Sequence, residues 1–157
     1  MNRIDEIVKE LNLQSHPEGG FYSENYRSEI NTEDNRGVLM TSIYFLLTSE
    51  HVSHFHRIKN DELWFHHEGS PISIHTLENG VHIEHILGKT HGTDCRPYQL
   101  IKGNTIFGSS VLEANSYALV SCVVSPGFDF KDFELFSHEQ LLKDFPNEEE
   151  IIDLLTP

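Results

Sequence analysis

The chain has 157 residues, a length that suits one domain with its own core. Its 25 acidic against 11 basic side chains give a net charge of −14, which repels phosphate backbones and anionic lipid heads, so no nucleic-acid or membrane partner is expected. No apolar run approaches the ~20 residues that a bilayer span needs, the opening Met1-Asn2-Arg3-Ile4-Asp5-Glu6 is too polar for a signal peptide, and Cys95 and Cys122 have no metal-like spacing; a reduced, cytoplasmic setting is expected.

Ile4, Ile7, Val8 and Leu11 fall on one face of a short N-terminal helix. His16-Pro17-Glu18-Gly19-Gly20 breaks the pattern and reads as a turn. Phe21 to Ser28 reads as a strand, Asn31 to Gly37 as a polar loop, and Val38 to Leu47 as a long strand. Short strands follow at 51–57, 61–67, 71–77, 81–87, 98–102, 105–110, 116–125 and 130–136, with turn signals such as Glu78-Asn79-Gly80 and Gly103-Asn104 between them. This spacing predicts an all-β sandwich or barrel over about 19–136. Two helices are expected over 137–155, the first opened by a capping box of Ser137 and Gln140. No linker interrupts the chain, so one domain is expected over 1–157. The stretch 117–124 is apolar on both faces and requires cover on each, from a helix or from a second copy in a homodimer.

The informative segment is Ser53 to Gly69. Alternation along a strand puts His54 and His56 on one side. A turn at 58–61 then returns the chain, and Glu62, Trp64 and His66 share a face of the next strand. If both faces look inward, two imidazoles and a carboxylate converge. That trio suits a divalent transition metal held by His54, His56 and Glu62, and it equally suits general acid–base work. A simpler role for Glu62 is an exposed ion pair with Arg57, worth about 0–1 kcal/mol; its place beside Trp64, a flat apolar wall, favours a pocket.

The His-x-His, the following Glu62, and Gly69 seven residues after it resemble the first motif of the cupins, with an extra turn residue between His56 and Glu62. The resemblance extends to a group of small single-domain cupins without an assigned reaction. It is carried by His-Pro-Glu-Gly-Gly at 16–20, Tyr26-Arg27, Thr41 to Leu47, Ser53 to Arg57, Glu62 to Trp64, Ala118-Leu119-Val120 and Pro-Gly-Phe-Asp-Phe at 126–130. It implies a cupin jelly roll (a double-stranded β-helix), often paired into dimers. In the second cupin motif a histidine completes the metal site; here Phe107 stands in that slot, and Gln99 and His66 are the nearby residues able to substitute.

These observations leave three functions open. In the first, a metal-free pocket takes a small polar metabolite and acts as a sugar-type isomerase or epimerase. His56 is the base, oriented by Glu62 or Asp61, and Tyr26 is the favoured acid, with Tyr44 and Tyr117 as alternatives. Ser53, His54, Arg57, Trp64, His66, Tyr44, Gln99 and Phe107 complete the expected pocket. In the second, a divalent metal on His54, His56 and Glu62 supports dioxygenase or isomerase chemistry. In the third, the barrel binds a metabolite without turning it over. Pro126-Gly127-Phe128 reads as a structural turn with an apolar plug.

Overall fold

The computed structural model describes residues 1–92 and 94–157. Two six-stranded sheets face each other. The first contains β1 (Gln14–Ser15), β2 (Phe21–Arg27), β3 (Thr41–Thr48), β5 (Asp61–Gly69), β9 (Tyr98–Ile101) and β11 (Tyr117–Ser125), in the order β1-β2-β3-β11-β5-β9. The second contains β4 (Val52–Arg57), β6 (Ile72–Glu78), β7 (Val81–Leu87), β8 (Cys95–Arg96), β10 (Ile106–Val111) and β12 (Glu134–Leu135), in the order β12-β4-β10-β6-β7-β8. Strands β3 to β6 alternate between the sheets, the winding of a jelly roll.

Residue type explains the placement. On β11, Ala118, Val120, Cys122 and Val124 are buried at every second position and meet the core side of β3 and β5. Between β6 and β7, Asn79 and Gly80 both take positive φ, 51° and 77°, as a two-residue hairpin turn requires. Phe45, Leu47, Trp64, Ile72, Ile74, Phe107 and Val120 fill one end of the space between the sheets. Helix α1 (Arg3–Glu10) packs Ile7 against Leu46 and Leu119 on the outer face of the first sheet, so a helix covers this part of β11. Helices α2 (His138–Asp144) and α3 (Glu149–Leu155) bury Leu141, Ile152 and Leu155 against Phe55 and Leu77 of the second sheet. The capping box at Ser137 is present. No helix among the described residues is long and apolar enough to cross a membrane.

One expected strand is different. Residues 130–136 form a 3-10 turn, Phe130–Asp132, and only the two-residue β12. The Asp129 carboxylate caps the turn by accepting the Lys131 backbone N–H. A turn of three residues then sends both Phe130 and Phe133 to the same side, which a strand would not do.

Candidate functional site

The sheets are packed solid at one end and open at the other. Thr41 and Ile43 precede Phe45 and Leu47 on β3, Glu62 precedes Trp64 on β5, and Cys122 and Val124 follow Ala118 and Val120 on β11. These end residues line a cavity of about 290 Å³, near the lower limit for small-molecule sites.

Its polar wall is built from three segments. The turn at 16–20 lies along β4, tied there by the His54 N–H donating to the Glu18 carbonyl at 2.7 Å. Gly19 permits this approach: its φ is +111°, and a Cβ on it would sit 2.0 Å from the Val52 carbonyl oxygen. The Glu18 side chain is thereby carried inside, where its Oε2 lies 2.7 Å from His56 Nε2. Both side chains are buried. His56 Nδ1 donates to the His54 carbonyl at 2.7 Å, so the proton between Nε2 and Glu18 makes an imidazolium–carboxylate pair. Burial alone would lower His56, but the Glu18 charge and hydrogen bond raise it above its ordinary value. Burial alone would raise Glu18, but the positive charge and hydrogen bond of His56 hold it below.

Glu62 is the third member. Burial, reinforced by the Glu18 charge, pushes its carboxyl up to about 7. The Trp64 indole N–H donates to Glu62 Oε1 and fixes it. His16 also lines the cavity. Its Nδ1 accepts the Glu18 N–H at 3.1 Å, which leaves the proton on Nε2, and burial holds the ring neutral by lowering its pKa. An aromatic wall adjoins these histidines: Tyr22, Phe128, Phe130 and Phe133 line the cavity, with the Tyr22 ring 4.6 Å from that of His16 and the Phe133 ring 5.4 Å from that of His56. Burial raises the Cys122 thiol well above its usual value, so it lines the wall as an uncharged group.

Of the residues expected in the pocket, His56 and Glu62 line the cavity, while Trp64 and Phe107 support them from the core, the Phe107 ring 4.2 Å from that of His56. The others lie elsewhere. On β4, three steps from Ser53 to His56 match two from Ser109 to Phe107 on β10, a bulge that breaks the alternation assumed for His54 and His56. His54 is half-buried and not in the cavity wall. Ser53, buried opposite Ser109, lies against the Glu18 carboxylate and helps keep it ionised, though it does not line the cavity itself. A second bulge lies on β2 between Glu24 and Tyr26. It sends Arg27 to the cavity and leaves Tyr26 about half exposed on the other face. Tyr44 packs with α1. Tyr117 donates to Glu68, outside the barrel. Arg57 pairs with Glu134 at 2.7 Å and lies over the Phe136 ring. Gln99 donates to the Ile86 carbonyl, His66 binds the Ser70 carbonyl, and Asp61 accepts from the Gly103 N–H. Sequence reasoning missed Glu18, His16, Tyr22 and the Phe128–Phe133 wall; an acid between a histidine and two glycines was the available signal.

The cupin metal does not fit these residues. Both His56 nitrogens are engaged, Phe107 fills the space of a further ligand, and no group of three His, Cys, Asp or Glu among the described residues is arranged to hold an ion.

A profile of the family described as "Cupin superfamily (DUF985)" matches residues 5–136. The chain belongs to this family. Two solved structures resemble this DUF985 cupin over nearly its full length. Protein SO0799 from Shewanella oneidensis is 40% identical, covering 100% of this chain and 99% of its own, with a TM-score of 0.93. A hypothetical protein from Leishmania major is 36% identical, covering 99% of each chain, with a TM-score of 0.90. A cupin-like protein from Thermotoga maritima, 11% identical, covering 87% of this chain and 90% of its own, with a TM-score of 0.50, shares the fold alone. No curated protein matches this cupin.

Proposed function

We propose that the cavity binds a small polar metabolite carrying a carbonyl and moves a proton on it, as an isomerase or epimerase does, without a metal. The observation that carries this reading is Glu62: a buried carboxyl at about 7 beside an ionised Glu18. Two acids whose surroundings push them apart divide the labour, one exchanging protons near neutral pH and one staying charged. The Glu62 carboxylate takes the proton from the carbon next to the carbonyl, and the oxygen that gains charge accepts a hydrogen bond from His16 Nε2–H. For isomerisation the proton of the neighbouring hydroxyl passes to the former carbonyl oxygen and the Glu62 carboxyl returns its proton to the carbon bearing that oxygen; for epimerisation it returns its proton to the original carbon on the opposite face after the enediolate reorients. His56 is a positioning residue here, because its Nε2 faces Glu18 rather than the ligand. The aromatic wall suits the apolar face of a hydroxylated ring.

The test is exchange in D₂O. The protein is incubated with a panel of aldoses, ketoses and other hydroxy-carbonyl compounds, and deuterium entering carbon is followed by NMR. Exchange is expected in at least one compound and is lost in Glu62→Gln. Exchange at the wild-type rate in that variant would remove Glu62 from the chemistry. A compound that raises Tm with no exchange makes the barrel a binding module instead.

A further inference from the structure

We propose that the metabolite carries a phosphate or diphosphate group, and that this group sits in the groove framed by Arg27, Arg36 and Lys131 beside the cavity. The inference rests on the cavity being the ligand site. A groove of about 380 Å³ adjoins it, and Arg27 and Phe128 line both, so a single ligand can span the two. Three cations reach the groove from separate segments: Arg27 from the end of β2, Arg36 from the loop before β3, and Lys131 from the 3-10 turn. Asp129 and Asp132 also line it, and Glu24 and Asp34 pair with Arg27 and Arg36, so the cations are balanced locally and a phosphate enters by displacing the exposed partners of Arg36 and Lys131. The cavity is biased toward acids, with Glu18, Glu24 and Glu62 against Arg27 and His56. The groove offers two exposed cations, Arg36 and Lys131, that the cavity lacks, so the anionic group is placed in the groove and the uncharged ring in the cavity.

The boundary residue is held firmly. Arg27 Nε donates to Glu24 at 2.7 Å, and its Nη2 donates to Glu24 at 3.0 Å and to the Phe128 carbonyl at 2.9 Å. Phe128 is fixed in turn by its N–H donating to Thr41 Oγ1. The other two cations are free to exchange partners. Arg36 is paired with Asp34 and Lys131 lies 3.8 Å from Asp129, with side chains 56% and 75% exposed. Exposed pairs of this kind hold weakly, and a phosphate dianion offers each a stronger, charge-assisted hydrogen bond.

The probe is inorganic pyrophosphate, titrated into the full chain and followed by calorimetry at low and high salt. Saturable binding that salt weakens is expected. Arg36→Ala and Lys131→Ala should each weaken it roughly tenfold, the effect of one charged hydrogen bond. Both cations are exposed, so the variants keep the fold, which an unchanged Tm verifies. No saturable binding at low salt, or wild-type affinity in the double variant, overturns the inference. The two readings fail separately. Exchange on an unphosphorylated compound without pyrophosphate binding keeps Glu62 chemistry and removes the groove. Pyrophosphate binding lost in the double variant, with exchange undiminished in Glu62→Gln, does the reverse.

Discussion

Replacing Glu62 with glutamine isolates the charge that the cavity resists. An ordinary glutamate titrates near 4.5, and Glu62 at about 7. Between those values the folded chain keeps a proton that the unfolded chain has released, so stability falls as pH rises through the window and levels off above it. At about 1.4 kcal/mol per pH unit the accumulated loss is about 3 kcal/mol. Glu62→Gln cannot ionise, and its amide oxygen still accepts the Trp64 N–H. Hosting the amide adds an offset that does not depend on pH, so the slope is the test. Urea midpoints of both proteins, measured from about pH 4.5 to about pH 8.5 with the m-value checked for constancy, should diverge in favour of the variant by about 3 kcal/mol. Parallel curves would refute the reasoning, because they would mean that Glu62 ionises in the folded chain as easily as in the unfolded one.

Glu18→Leu leaves the buried His56 without its counter-charge and should cost about 3–5 kcal/mol, read in the same urea experiment; a loss below about 1 kcal/mol, the size of an exposed pair, would contradict the buried ion pair. Gly19→Ala forces a Cβ toward the Val52 carbonyl at a φ of +111° and should cost at least about 1–3 kcal/mol. It should also abolish ligand-induced Tm shifts, since the turn that carries Glu18 must move. On the other side of the second sheet, His75 Nδ1 lies 2.8 Å from His82 Nε2. Burial, with the neighbouring His82, lowers the His75 pKa to about 4 from an ordinary 6.5. The unfolded chain takes up this proton first, so stability present above about pH 6.5 is lost as pH falls toward about 4. His75→Gln should flatten that acid-side loss by up to about 3 kcal/mol, and an unchanged slope would contradict it.

The strands, the hairpin at Asn79-Gly80 and the inward places of His56 and Glu62 were legible because period two and turn chemistry are local signals. What failed were inferences that carried alternation through a bulge. On β2 it predicts Tyr26 inward, and the bulge delivers Arg27; on β4 it pairs His54 with His56, and the bulge separates them. Neither bulged stretch contains a glycine or proline that would announce it. Glu18 was hidden for a different reason. Pro17, Gly19 and Gly20 mark a turn, and turns usually lie at the surface. Only the pairing of that turn with β4 carries its carboxylate inside, and no residue within the turn encodes a contact with Val52 and His54, more than thirty positions away.

The charges of His56 and Glu18 follow from one backbone acceptor. The His54 carbonyl requires a proton on His56 Nδ1. With that nitrogen committed, Nε2 can face a carboxylate at 2.7 Å only if a second proton lies between them, so the ring is cationic and Glu18 anionic. Burial is the larger obstacle to ionising Glu62 and the Glu18 anion adds to it, so Glu62 holds its proton up to about 7. Trp64 donates to Glu62 yet does not restore an ordinary value, because one neutral hydrogen bond is smaller than the loss of hydration together with repulsion from Glu18. A carboxyl prepared to exchange protons at neutral pH thus arises from the burial of Glu62 on β5, with the Glu18 charge carried in by the 16–20 turn adding to it.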